Sequence, residues 1–468
     1  MIQINFVRLV LFSLSIMLLF GACRKRGDIS LPDNYITFTS AEQGLNESEN
    51  SIVVKLKLSR NTDRDIPVTI NLTPKGVAYT TDFTTIPAAV NGVLNITVPS
   101  GNNEGTFTIT KAPAALFDGD EQILFEINRS ESPILIGGDK TFKLDFKELV
   151  ATKSSAEFNG GGATFPNRAF IDLSANRQVS VNRTTWDFGF YTDPSDFKVI
   201  LNSSVGMMTK QIAKNDLAQV NATDTLGLFN LMTYSGFAPV TEQLPLVDYP
   251  NGDLNRTAFG LVSANAVDNK VFLVNRGNGV GTPGPARGWK KVRILRNATG
   301  GYTIQHADIA AATFTSVDVP KDAAYFFKYF SFEAGPVSVE PEKTKWDIAW
   351  NYFGNVTNFG NGDVPFLFQD FIIQNRNVQA AQVLTTTKAY ADFKEADLAS
   401  LILNPAQNAI GSSWRLGGGP TTQPSVRDDR YYIIKDGNNN YYKLIFIRMT
   451  KGGERGYVRI DYELVKRG

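Results

Sequence analysis

From Tyr35 onward, apolar and polar residues alternate in short bursts at Ser51 to Leu58, Pro67 to Leu72, Val93 to Val98, Gly105 to Thr110 and Gln122 to Ile127. Period-2 alternation bounded by Gly, Asn, Asp or Pro predicts half-buried strands. In the first burst Ile52, Val54, Leu56 and Leu58 form one apolar face, while Lys55 and Lys57 fall on the other. Several such strands at near-regular spacing predict an antiparallel β-sandwich over residues 33–149. Farther along, DGNNN between Tyr431 to Lys435 and Tyr441 to Met449, and NATGG between Lys291 to Arg296 and Tyr302 to Ala307, predict hairpins. Phe393, Ala396, Ala399 and Ile402 recur at helical spacing ahead of Asn404-Pro405, so a helix is expected over 393–403, with a shorter counterpart over Thr209 to Val220. GNGVGTPGPARG at 277–288 reads as a loop, because no strand-to-helix context surrounds its glycines.

The pattern also repeats. Phe170 to Tyr191 (FIDLSANRQVSVNRTTWDFGFY) resembles Phe330 to Tyr352 (FSFEAGPVSVEPEKTKWDIAWNY), which sets Trp186-Asp187 against Trp346-Asp347. DNKVFLVNR at 268–276 matches NNNYYKLIFIR at 438–448, and WKKVRIL at 289–295 matches YVRIDYEL at 457–464. Self-similarity of this kind is the signature of a duplicated unit. Copies are expected over 155–310 and 325–468, with both tryptophans as core anchors. The fold class is all-β: mainly β with a few short helices, a sandwich followed by a duplicated β-domain.

The first residues form a separate element. Residues 1–22 carry one charge, Arg8, then the apolar run Leu9 to Phe20, then Gly21 and Ala22, ahead of the only cysteine, Cys23. The run is too short to span a bilayer, and the layout is that of a secretory signal. Small residues followed by Cys resemble the lipobox of bacterial lipoproteins, which implies lipidation at Cys23, a tether over 23–32, and an outer-membrane home facing either the periplasm or the surface.

Composition narrows the chemistry. The chain has 468 residues, with 47 Lys plus Arg against 46 Asp plus Glu. Nothing in that balance supplies the basic excess of a nucleic-acid binder. One His and one Cys leave no internal disulfide and no zinc site of the usual ligands. No nucleophile, base or metal constellation is visible, so an enzyme is not expected.

Two resemblances follow from the motifs. The acidic opening with Glu42, Glu47 and Glu49, then VAYTTDFTTIP, VPSGNNEGTFTI and FDGDEQILFEI, is similar to a Calx-beta module. Some members of that family bind Ca²⁺, which implies Glu42, Asp82, Asp118, Asp120 and Glu121 as ligands; the alternative is a solvated acidic rim. The acidic pair expected after the TFTI strand is replaced by Lys111-Ala112-Pro113-Ala114, so Ca²⁺ is not expected.

A VSV strand, a WDIA motif, and a closing YYIIKDGNNNYYKLIFIRM hairpin followed by GYVRIDYEL resemble the HmuY-like family of outer-membrane lipoproteins. The likeness covers 330–466 and, more loosely, the first copy. It implies a mainly β carrier of haem that passes its ligand to an outer-membrane transporter, with iron held by a His pair or a Met pair between the WD motif and the closing hairpin. A single His excludes the first arrangement. Met232 with one of Met207 or Met208 is the remaining pair, against the alternative that these methionines fill core gaps. Adjacent residues on a strand point to opposite faces, so Met207 and Met208 cannot serve together. His306, on the apolar face of Tyr302 to Asp308, is expected to be a packed core residue. A structural or adhesion lipoprotein that binds a glycan or protein surface is the competing function.

Overall fold

The computed structural model describes residues 31–45, 49–113, 115, 121–146, 153–281, 284–418 and 422–468. The signal segment, Cys23, Asp118 and Asp120 lie outside the described residues. The protein is mostly β and divides into two compact units, an N-terminal one built from the described residues of 1–39, 51–115 and 123–142 and a C-terminal one that takes those of 143–468 together with the short stretches 40–50 and 116–122.

In the N-terminal unit the alternation becomes burial. Ser51–Leu58 buries Ile52, Val54, Leu56 and Leu58 and turns Lys55 outward. It pairs with Tyr35–Phe38 on one side and Glu104–Lys111 on the other. Ile66–Lys75 pairs with Val93–Val98 in a second sheet. Phe107, Phe125 and Phe142 fill the space between the sheets, with ring centroids 5.2 and 5.8 Å apart along the series.

The C-terminal unit holds both repeats together. Each repeat ends in a five-stranded sheet. One contains Met208–Gln211, Phe272–Asn275, Trp289–Arg296, Tyr302–Asp308 and Thr315–Val319. The other contains Gln379–Leu384, Arg430–Lys435, Tyr441–Lys451, Glu454–Lys466 and the early strand Lys153–Glu157.

The two four-stranded sheets cross the repeat boundary. Each repeat opens with a hairpin, Asn167–Asp172 with Arg177–Asn182 in the first and Phe327–Ser331 with Gly335–Val337 in the second. The first hairpin pairs with the strand Ile348–Asn358 that follows the second Trp-Asp motif, Ile171 opposite Ile348 and Phe170 opposite Ala349. The second hairpin pairs with Phe188–Tyr191, after the first motif, Phe330 opposite Phe188 and Tyr329 opposite Gly189. The hairpins are exchanged, so residues 155–310 and 325–468 fold as one compact unit. The register also aligns Phe170 with Tyr329 instead of Phe330. The turn Leu173 to Asn176 is one residue longer than Phe332 to Ala334, which shifts the equivalence.

The junctions repeat atom for atom. The Leu173 amide donates to Asp347 Oδ2 at 2.8 Å and the Phe332 amide to Asp187 Oδ2 at 2.9 Å. The Asp347 amide donates to the Ile171 carbonyl, and that of Asp187 to the Phe330 carbonyl. Asn202 Nδ2 donates to the carbonyls of Arg183 and Trp186, and Asn375 Nδ2 to those of Lys343 and Trp346. Trp186 packs edge-on to Tyr329 at 4.8 Å and Trp346 to Phe170 at 5.0 Å, and both tryptophans share one core cluster.

The helices expected over 393–403 and 209–220 are replaced. Tyr390–Asp392 and Glu395–Ser400 are 3₁₀ turns, and Asp397 accepts the Lys394 amide at the start of the second. Phe393, Leu398 and Leu401 face the core while Ile402 is 91% exposed, so the burial does not follow the 3.6-residue spacing. Thr209 lies in the strand Met208–Gln211, and Leu217–Gln219 is a short 3₁₀ turn. The predicted hairpins at DGNNN and NATGG are present.

Because both tryptophans sit in one cluster, Trp186→Ala and Trp346→Ala should each cost about 3–5 kcal/mol and move the same unfolding transition. Denaturant melts that showed the two variants affecting separate transitions would contradict a shared core.

Candidate functional site

Met207 and Met208 point to opposite sides of their strand. Met207 is buried with Val205, Phe188 and Phe272, whereas Met208 joins Met232 in a different cluster with Leu246 and Val247. Of the pairs expected from the sequence, the structure brings together Met208 and Met232 and leaves Met207 out. Both thioethers are fully buried. Leu228, Leu231, Tyr234, Trp289 and Val356 pack around them.

The segment over this cluster is irregular. A single helical turn, Leu228–Leu231, lies between Gly227 and Gly236, both at positive φ. The Met232 carbonyl accepts Asn275 Nδ2 at 2.7 Å, which ties the turn to the sheet. Tyr234 lies against the long hairpin Ile348–Asn358 and Asp363–Gln374. A Cβ at Gly354 would stand 2.6 Å from its hydroxyl and 3.0 Å from the Ser203 carbonyl oxygen, so any larger residue there would force Tyr234 to shift. Asp248 accepts the amides of Leu201 and Ala258, and burial pushes its carboxyl up to about 7.

Where this segment meets the tip of the long hairpin, phenylalanines are left in the open. Phe237 is 66% exposed and Phe359 43%. The two stand edge-on at 4.9 Å, and Phe366 lies 5.1 Å from each. Phe368 and Phe371 continue the ring contacts inward. The tip turns sharply because the Asn358 side chain accepts the Gly360 amide at 2.7 Å. Leu226 and Phe229, in the segment that supplies Phe237, are 74% and 67% exposed. Apolar surface on this scale marks a binding site more often than a stray exposed side chain does. Sequence reasoning missed it. The available signal was the phenylalanines in TNFGNGD and SGFAPV, in turns where nothing requires an aromatic.

His306 lies elsewhere, half-buried against Phe330 and Phe332 at 5.4 and 5.2 Å. Burial, then Lys290, hold its pKa below the usual value, so the ring is neutral near pH 7. Glu42 pairs with Lys143 at 3.3 Å, and Asp82, in the N-terminal unit, accepts the Ala78 amide at 2.7 Å. Glu121 is described, but Asp118 and Asp120 are outside the described residues. Among the described residues no group of three or more His, Cys, Asp or Glu is placed to hold a metal ion, and no helix is long and apolar enough to cross a membrane.

An exposed site predicts a specific response. Phe237→Ser with Phe359→Ser should reduce the fluorescence of a bound apolar dye while changing stability by less than about 1 kcal/mol. Equal dye binding by variant and wild type would show that the cluster is not the accessible apolar surface.

Comparison with known proteins gives a domain assignment. No curated protein matches the chain. Among solved structures, the apo-form Calx CBD1 domain is 14% identical over 25% of this chain and 96% of its own, with a TM-score of 0.21. A two-domain protein of unknown function from Bacteroides fragilis is 10% identical over 74% of this chain and 95% of its own, with a TM-score of 0.19. Apo PinO from Porphyromonas gingivitis is 17% identical over 34% of this chain and 87% of its own, with a TM-score of 0.14. None of these structural likenesses is close enough to carry an argument about this chain. Residues 326–462, which span the second repeat and the hairpin that opens it, match the family model of the HmuY protein.

Proposed function

We propose that this protein is a lipid-anchored cell-envelope binding protein that captures haem or a related flat hydrophobic ligand and hands it to an outer-membrane transporter. The observation that carries this reading is the exposed phenylalanine cluster Phe237, Phe359 and Phe366, in a unit that contains a HmuY domain and buries two thioethers under the same segment. Flat aromatic surface suits the face of a porphyrin, and a pair of Met sulfurs is a donor set that haem iron accepts. Bound haem would supply a redox-active iron. The chain's own part is to shield a flat apolar ligand from water and to present Met208 and Met232. For either sulfur to reach a ligand, Leu228 to Tyr234 must move aside. The anchor rests on Cys23 and the small residues before it.

A spectroscopic titration with haem, in both redox states, tests this function. Wild type should bind, more tightly when reduced, because thioethers favour ferrous iron. Met208→Leu with Met232→Leu conserves volume and should remove the thioether signature without unfolding the protein. His306→Ala should leave the spectrum unchanged. No binding in either redox state would transfer the exposed phenylalanines to the competing reading, an adhesion lipoprotein that recognises a protein or glycan surface.

The anchor is tested separately. Cys23→Ser should leave the chain without lipid, because the thiol is the acyl acceptor. A mature chain that starts well beyond Cys23 and carries no lipid would refute it.

A further inference from the structure

The two motif aspartates occupy equivalent places and meet opposite charges. Asp187 pairs with Arg276 and with Arg287, each at 2.9 Å, and Arg276 continues to Glu333 at 2.6 Å. In the order of the two five-stranded sheets the strand Phe272–Asn275 takes the place of Arg430–Lys435, one strand earlier than the match of 268–276 with 438–448 implies, so the counterpart of Asn275-Arg276-Gly277 is Lys435-Asp436-Gly437. Where Asp187 is paired with two guanidinium groups, Asp347 forms no ion pair among the described residues and feels the charges of two carboxyls, Asp172 and Asp436. All three are buried, at 7, 5 and 4% exposure.

The surroundings of the trio offer hydrogen bonds but little opposing charge. Asp172 accepts Ser174 Oγ and the Ala175 amide, and Asp436 accepts from Asn438 and Asn440. Asp347 accepts the Leu173 amide. Arg177, on the hairpin, and Lys345, ahead of the motif strand, act on Asp172 from a distance. On the closing hairpin the Tyr442 hydroxyl is buried without a hydrogen-bond partner, and the three carboxyls are among its nearest charges. Tyr462, on the last strand, is engaged with the Leu173 carbonyl and with Asn176. The three carboxyls are not placed to share a metal ion.

Three carboxylates cannot all ionise at close range in a dry site, so the group retains a proton. Burial pushes all three pKa values up, Asp347 well above the usual carboxylate range, where Asp172 and Asp436 add to the effect. A folded-state pKa above the unfolded one gives stability that is present at low pH and lost as pH rises through the folded value.

We propose that a proton shared among Asp172, Asp347 and Asp436 locks the first hairpin onto the second repeat, and that the lock loosens as the proton leaves, whereas the arginine-held junction at Asp187 does not respond. The two junctions between the repeats are therefore unequal, one set by pH and one fixed.

Hydrogen exchange on the full chain tests this at two equivalent amides, Leu173 and Phe332. After correction for intrinsic exchange, protection at Leu173 should fall as pH rises through the range in which the proton leaves, by up to about tenfold per pH unit. Protection at Phe332 should stay level, because His306, which packs on Phe332 and acts on Asp187, is held below its usual pKa by burial and then by Lys290 and stays neutral as pH rises above 7. Glu340, which takes the Phe327 amide and is pushed up to about 7 by burial, acts at the far end of that strand and not on Phe332. Asp347→Asn keeps an acceptor for the Leu173 amide and should flatten its pH dependence; Asp436→Asn should do so in part if the first variant does not fold. Equal slopes at the two amides, or an unchanged Leu173 slope in the Asn variants, would overturn the proposal. So would recovery of Leu173 protection at alkaline pH on adding Ca²⁺, which would make the trio a cation site.

Discussion

The C-terminal unit depends on one reciprocal contact. The aspartate after each tryptophan takes the amide at the end of the other repeat's hairpin, and its own amide returns a bond to the same strand. Both aspartates are buried, so each bond replaces solvation that the carboxyl has lost. Remove either and a buried polar pair is orphaned at the point where the repeats join. The tryptophans gain their place from the same exchange: each packs edge-on against the ring that the other repeat's hairpin brings in. The Trp-Asp motif is therefore a joint, and its recurrence says how the halves are assembled and not what they bind.

The candidate site inherits its composition from that arrangement. Phe359 and Phe366 come from the second repeat's long hairpin, Phe237, Met208 and Met232 from the first repeat, and Gly354 makes room for Tyr234 between them. A lone second repeat would carry the hairpin tip without the thioethers. Residues 326–462, which match the HmuY family model, hold no His, Met or Cys between the motif and the closing hairpin. If iron is bound, the donors come from the other half.

Much of the fold could be read from the sequence because it is local. Ile52, Val54, Leu56 and Leu58 declare a strand by alternation alone, and DGNNN declares a hairpin by turn chemistry. The exchange could not be read that way. Ile171 can lie beside a strand of its own repeat or of the other with the same apolar pattern, and only the three-dimensional register decides. The helix expected at Phe393 failed for a related reason: Ala396 and Ile402 fit the period but face solvent, while Leu398 and Leu401 take the core positions. Of the site, strand geometry separated Met207 from Met208 but did not say which of them lies with Met232; only the packing puts Met208 in that cluster. The phenylalanine cluster joins residues more than a hundred positions apart and had no sequence signal beyond aromatics in turns.

The exchanged pairing is the central claim, and a methyl–methyl NOE between Ile171 and Ile348 tests it most directly. Directly opposed residues on adjacent strands have Cβ atoms about 5 Å apart, well within reach of the effect, and isoleucine-selective labelling leaves the sequence unchanged. The exchange predicts a strong cross-peak between these two residues of different repeats. Its absence, with Ile171 instead contacting Phe188 on its own repeat's motif strand, would show that each hairpin folds back onto its own repeat and would contradict the account.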